Sequence, residues 1–386
     1  MCESPAVEHV VSIPGVPVYC NVQWETRAEA LTASRGDIDL VFCASCGHVF
    51  NRAFDPLRVE YSTRYENSLH FSGRFKEYAD ELADRLVGKY GLRGKDVIEV
   101  GCGKGEFLAL LCERGGNRGL GFDASYVPDG ELGTDRRGVT VVQEPFGDPH
   151  TVHAADLVCC RQVLEHVRCP RELLELVQRV LARRPGAVTY FEVPNALFTL
   201  RHGGIWDLIY EHCSYFTPES LATAFERAGC TVLEIYEAFD GQYLGVEATA
   251  DNGDQPHTRD GDRSRVETLG ADVRAFERRY QHQLRAWRAR LERARADRER
   301  VAVWGAGSKG VTFLNVLGVA EEVESVVDVN PRKQGRFVPG TGHRIVPPEA
   351  LVESRPDLVL VMNRIYEAEI GATLRGLGLG PAVQAV

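Results

Sequence analysis

Val97-Ile98-Glu99-Val100-Gly101-Cys102-Gly103-Lys104-Gly105-Glu106-Phe107 is the stretch from which the fold of this chain can be read. A short apolar run carries one acid, Glu99, near its end. Three glycines follow within five residues, and then the helical pattern Phe107-Leu108-Ala109-Leu110-Leu111-Cys112. The order is strand, tight turn, helix. The glycines let the backbone turn sharply and let a ligand approach with no Cβ in the way. The helix that opens after them offers N–H groups and the positive end of its dipole. A dinucleotide loop would space its glycines G-x-G-x-x-G, whereas here the spacing is G-C-G-K-G. A generic nucleotide-binding turn, or a purely structural one, is the alternative.

Outward from that stretch, residues 93 to 245 carry a βαβ rhythm. Gly119-Leu120-Gly121-Phe122-Asp123 is the next strand, and Gly138-Val139-Thr140-Val141-Val142-Gln143 follows it. Ala155 to Cys160 is another strand, which runs out through Arg161-Gln162-Val163-Leu164-Glu165-His166. Strands alternating with helices predict an α/β fold with a parallel sheet covered on both faces. Ligands of such sheets bind at the carboxyl ends of the strands, where Gly101, Asp123, Phe146 and Gln162 fall. Glu99 before the first glycine, the three glycines and Asp123 together resemble motif I and the ribose-binding acid of class I S-adenosylmethionine (SAM) methyltransferases. That resemblance implies that Glu99, Gly101, Gly103, Gly105 and Asp123 hold the cofactor. Residues around Gln143 to Phe146 would flank its adenine, and Gln162 would face its amino acid end.

Composition narrows the function classes. The chain has 386 residues, so two to three domains are expected. A net charge of −10 argues against a nucleic-acid surface as the main role. The apolar runs are too short to span a bilayer. Met1-Cys2-Glu3-Ser4-Pro5 lacks the regions of a signal peptide. A cytoplasmic protein with reduced thiols is expected, so its eleven cysteines are not a disulfide framework. Cys159, Cys160 and Cys230 stand in apolar strands and read as small core residues.

Residues 1–54 read as a small knuckle subdomain. Asp37-Ile38-Asp39-Leu40-Val41-Phe42-Cys43 begins as a strand and runs into Cys43-Ala44-Ser45-Cys46-Gly47-His48. A C-x-x-C-G turn after a strand is half of a zinc knuckle. Pro5 stands where a first C-x-x-C would be completed, which leaves Cys20, His9 and His48 as further ligands. A structural zinc on Cys2, Cys20, Cys43 and Cys46 is one reading. A degenerate knuckle that has lost its metal is the other.

Residues 55–250 form the main domain. Tyr61 and Tyr65-Glu66-Asn67-Ser68-Leu69-His70-Phe71-Ser72 crowd polar and aromatic side chains before an amphipathic helix from Gly73 to Lys89. In SAM methyltransferases such a segment commonly lies across the cofactor pocket, where Ser72 could reach it; an ordinary helix with a wet first turn is the alternative. Further on, Glu211-His212 lies between elements at the mouth of the sheet, with an acidic neighbour and aromatics around it, and His212 reads as a general base. His166 heads the next helix and reads as structural.

Residues 251–299 are a polar linker and a long charged helix, with Val273, Phe276, Tyr280, Leu284, Trp287 and Leu291 on one stripe. Residues 300–386 start a second α/β unit at Val301-Ala302-Val303-Trp304-Gly305-Ala306-Gly307-Ser308-Lys309-Gly310. This loop does fit G-x-G-x-x-G, and Asp328 stands about 20 residues on, where a ribose partner would lie. The glycines either bind a nucleotide or pack the helix on its sheet.

Four features stand in one order: a cysteine knuckle, a SAM motif, Tyr210-Glu211-His212-Cys213-Ser214-Tyr215-Phe216, and a small C-terminal α/β unit. That order resembles the C-methyltransferases that act on nucleotide-linked keto-deoxysugars, across nearly the whole chain. The resemblance implies a small-molecule acceptor, no nucleic acid or membrane partner, and a monomer or homodimer. It implies His212 as the base, oriented by Glu211, and Tyr65, or less securely Tyr61, as a helper in the site. It also implies that the C-terminal unit helps to hold the nucleotide. The chain departs from the family pattern at Pro5, which breaks the first of two C-x-x-C pairs. O- or N-methylation of a small metabolite is the competing expectation.

Overall fold

The computed structural model describes residues 4–22, 24–60, 62–127, 138–251, 262–319 and 321–386. The N-terminal part is antiparallel. β1 (Val7–Pro17) and β2 (Arg35–Cys43) pair from Val7 opposite Cys43 to Pro17 opposite Arg35, and β3 (Val49–Asn51) follows on β2. The expected C-x-x-C-G turn joins β2 to β3. Gly47 takes φ +72° there, and its N–H donates to the Cys43 carbonyl at 2.9 Å.

The proposed zinc set is not assembled. Cys43 pairs with the first residue of β1, whereas Cys20 follows the other end of that strand. Eight residues of strand separate the two levels along β2, roughly 25 Å. Cys20 instead donates its N–H to the Glu211 carboxylate at 2.7 Å. His48 is buried against Phe50 and Phe216, and His9 hydrogen-bonds Ser12 at 2.9 Å. Cys2 lies outside the described residues.

The middle of the chain builds a sheet of seven strands. β4 (Asp96–Val100), β5 (Arg118–Phe122), β6 (Val139–Val142), β7 (Leu157–Arg161) and β8 (Val188–Pro194) run parallel. The two-residue β9 (Ser214–Tyr215) leaves this sheet and pairs with β3, so the N-terminal sheet grips the segment just after Glu211-His212. β10 (Cys230–Ala238) and β11 (Tyr243–Ala250) add an antiparallel edge. The order is β10-β11-β8-β7-β4-β5-β6.

Both faces are covered, which is why the parallel strands read as continuous apolar runs rather than alternating ones. On β4 and β7, Val97, Leu157 and Cys159 pack against Leu82, Leu86, Leu108 and Leu111 of the helices Gly73–Tyr90 and Glu106–Gly115. Ile98, Val100, Val158 and Cys160 face the helices Pro170–Leu181 and Pro218–Arg227. Burial pushes the thiols of Cys159 and Cys160 well above their ordinary range, as expected of core cysteines.

The C-terminal unit is a parallel sheet in the order β14-β13-β12-β15-β16. Its strands are β12 (Val301–Trp304), β13 (Ser325–Val327), β14 (Ile345–Val346), β15 (Leu358–Val361) and β16 (Ala382–Ala385). The order reverses at β12, which opens a crevice beyond its carboxyl end. The glycine loop Gly305–Gly310 sits there. The long helix, Asp262–Ala296, does more than bridge two units. Val273, Phe276, Tyr280, Leu284 and Leu291 are buried in one core with Ile13 and Leu40 of the N-terminal sheet and Val301, Val303 and Phe313 of the C-terminal unit. The two ends of the chain therefore share a core.

Candidate active site

The glycine loop after β4 is left-handed at all three glycines, with φ +67° at Gly101, +55° at Gly103 and +76° at Gly105. Each has a different reason. A Cβ on Gly101 would lie 2.2 Å from Val163 Cγ2, so the loop packs against the turn that leaves β7. A Cβ on Gly103 would meet nothing within 4 Å, so that face of the loop is open to a ligand. Gly105 caps the helix Glu106–Gly115. Asp123, at the end of β5, accepts from Gly103 N–H at 2.8 Å and from Ser125 N–H and Oγ at 2.7 and 2.6 Å. The carboxylate thus stands beside the open glycine, where the cis-diol of a ribose would reach it. This donor set fits a nucleoside cofactor such as SAM.

Glu99 lies beneath that loop rather than in its mouth. It is buried and hydrogen-bonded by the backbone of Leu108, and its Oε2 has no partner. Burial pushes its carboxyl up to about 8. Phe146, past β6, is half-buried with its ring 5.3 Å from Phe122 in an edge contact. Gln162 takes φ +56°, unusual for a non-glycine residue, as the chain turns out of β7. Its side-chain amide donates to Glu192 at 3.2 Å. Glu192 also accepts from Arg161 at 3.0 Å, from Tyr190 at 3.0 Å and from Tyr78. This buried network holds the strand end that carries Gln162, and the sequence reading missed it.

The segment from Tyr65 to Ser72 does cross the site, but it is strapped down on both sides. Ser68 Oγ donates to Glu106 at 2.8 Å, at the start of the helix after the glycine loop. Buried Glu66 accepts from Asn330 at 3.1 Å. Ser72, expected to reach the cofactor, instead caps the helix Gly73–Tyr90 and donates to Glu369 of the C-terminal unit at 2.7 Å. Tyr61 lies outside the described residues.

Tyr65, Glu211 and His212 come together, with one correction. The Glu211 carboxylate turns away from His212, because the Cys20 N–H and the Tyr65 hydroxyl hold it. Burial pushes it up to about 7. The groups that face His212 are Glu165 and His166, whose ligand-type atoms all lie within 4.8 Å of one another and of His212. The two imidazoles meet edge to face, with centroids 4.7 Å apart at 79°. Burial first, then His166 and Lys309, hold His212 well below the ordinary imidazole range, so its neutral, proton-accepting form prevails at neutral pH. His166 was read as a structural helix residue. Its signal was available, since Leu164-Glu165-His166 leaves the carboxyl end of β7 next to Gln162.

A cleft of about 320 Å³ runs from this cluster to the C-terminal unit. Tyr65, Gln162, His212, Gly305, Lys309 and Lys333 are among the residues that line it. Lys309 is paired with Asp207, and the buried Lys333 Nζ bonds Asn21 at 3.3 Å. Asp328 lines the cleft, and its two oxygens accept backbone N–H groups, of Ala306 and of Asn330, each at 2.9 Å. A Cβ on Gly310 would lie 1.9 Å from the Gly305 carbonyl, so the third glycine serves close packing of helix on strand.

Residues 70–235 match the methyltransferase domain family, and residues 262–378 match the C-methyltransferase C-terminal domain family. The C-methyltransferase NovU of Streptomyces niveus is 29% identical over 349 residues, which cover 86% of this chain and 81% of that protein. A ubiquinone biosynthesis O-methyltransferase of Escherichia coli (strain K12 / DH10B) is 33% identical over 122 residues, 30% of this chain and 48% of its own length. Among solved structures, a Burkholderia thailandensis 1,6-didemethyltoxoflavin-N1-methyltransferase is 17% identical, covering 53% of this chain and 96% of its own, with a TM-score of 0.38.

Proposed function

We propose that this chain is a SAM-dependent C-methyltransferase whose acceptor is the carbon beside the ketone of a nucleotide-linked deoxysugar. The observation that carries the proposal is the single cleft that joins His212 to the glycine loop and lysines of the C-terminal unit. A keto-sugar at His212 leaves its nucleotide pointing toward Gly305, Lys309 and Lys333. The two ammonium groups suit a diphosphate.

A C–H next to a ketone is acidic enough for a neutral imidazole to remove its proton, and His212 takes that role. Tyr65 shares its hydroxyl with Glu211; a side-chain rotation brings that hydroxyl to the acceptor's oxygen, where a donor stabilises the enolate. Gly103 and Asp123 would hold the cofactor, beside the turn that carries Gln162. When bound, SAM supplies an electrophilic methyl group on sulfonium sulfur. The chain's main contribution is to hold both reactants in register.

His212→Ala should leave the affinity for S-adenosylhomocysteine unchanged and lower methyl transfer by about 100-fold or more. Full activity in that variant refutes His212 as the base. Incubating the wild-type chain with a thymidine-diphospho keto-deoxysugar in deuterated water, without SAM, should exchange the proton on the carbon beside the ketone. An acceptor that is methylated without such exchange would redirect the reading to O- or N-methylation.

A further inference from the structure

We infer that Glu165, His166 and His212 form a binding site for a divalent transition metal, and that a metal held there withdraws His212 from proton transfer. Among the described residues these three side chains are the group whose ligand atoms converge, all within 4.8 Å of one another. Three features of the cluster suit a cation.

Glu165 is 1% exposed, and neither of its carboxyl oxygens has a hydrogen-bond partner. A buried acid with no donor is costly in any protein. This one lines the cleft beside two imidazoles, so the missing partner has a place to bind. His166 is oriented as a ligand would be. Its Nδ1 lies 3.1 Å from the Glu211 backbone carbonyl. A carbonyl only accepts, so the proton sits on Nδ1 and the lone pair on Nε2. Metal-bound histidines are held by the same type of outer hydrogen bond. Two imidazoles and one carboxylate suit cobalt, zinc, iron or nickel better than magnesium or calcium, which prefer oxygen.

The geometry needs little adjustment. Ligand atoms about 2.1 Å from one ion lie roughly 3 to 3.5 Å apart, and the atoms of the cluster all lie within 4.8 Å of one another, so little closing is needed. Rotation of half-buried His212 supplies that movement. The remaining coordination positions face the cleft. His212 has one lone pair, and a metal on it excludes a proton. This second half of the inference rests on His212 as the base; the binding site itself does not.

The test is titration of the full-length chain, stripped with a chelator, with Co²⁺, followed by visible absorbance and calorimetry. Wild type should bind one equivalent more than either Glu165→Gln or His166→Asn, with the difference carried by a visible ligand-field band. Equal stoichiometry in all three chains overturns the site. If both variants fail to fold, wild-type crystals soaked in Co²⁺ decide the matter. An anomalous peak among the three side chains supports the site, and none there overturns it. In parallel, methyl transfer by the wild-type chain should fall about 100-fold as the band saturates, and should return when the metal is chelated. Activity that rises with occupancy leaves the site standing but overturns the competition with the base.

Discussion

Gly101→Ala separates two costs that the structure places on one glycine. The first is conformational. Gly101 has φ +67°, where an L-residue costs about 1–2 kcal/mol. The second is steric. The new Cβ would lie 2.2 Å from Val163 Cγ2, far inside contact distance. Overpacking of that kind typically costs about 1–3 kcal/mol. The sum is about 2–5 kcal/mol. Val163→Ala removes the offending methyl and leaves its Cβ 3.3 Å away, a contact that small shifts can accommodate. In that background Gly101→Ala should cost only the conformational part, about 1–2 kcal/mol. A double-mutant cycle read from urea unfolding should therefore show favourable coupling of about 1–3 kcal/mol. Costs that simply add, within about 0.5 kcal/mol, would refute the claim that the Gly101–Gly105 loop packs on the turn carrying Gln162, Glu165 and His166.

Two other outcomes follow from Tyr65 and Glu99. Tyr65→Phe removes the hydroxyl shared with Glu211; kcat should fall about 10- to 100-fold, with unchanged S-adenosylhomocysteine affinity, and an unaltered kcat would remove Tyr65 from the chemistry. Glu99→Gln tests linkage. The Glu99 carboxyl is pushed from 4.5 up to about 8, so between those pH values the native chain keeps a proton that the unfolded chain has released. Stability from this residue therefore falls as pH rises through that window. The advantage of Glu99→Gln over wild type should grow by up to about 1.4 kcal/mol per pH unit and level off above pH 8. Urea midpoints from pH 5 to 9 measure it, and a pH-independent difference would show that the carboxyl is not held protonated.

Much of the fold was legible because its signals are local. The G-C-G-K-G turn, the apolar parallel strands and the Cys43–Gly47 turn each depend on residues within one element and its neighbours. The site was half legible. Position and residue type singled out Gln162, Tyr65 and His212, which line one cleft, and Asp123, which stands beside Gly103. Ser72 was not legible, because a polar side chain near a ligand site can as well be taken by an acid from another unit. Ser72 went to Glu369.

The sequence by itself determined a SAM-type α/β sheet followed by a second α/β unit, since hydrophobic period and glycine spacing are written along the chain. Only the tertiary structure decided what surrounds His212. It turned Glu211 to Cys20, 191 residues away in sequence, and set Glu165 and His166 against His212. It also drew Cys20 away from Cys43, because β1 and β2 pair in a register that puts the two at opposite ends. Such contacts depend on where whole elements pack, and no spacing along the chain encodes them.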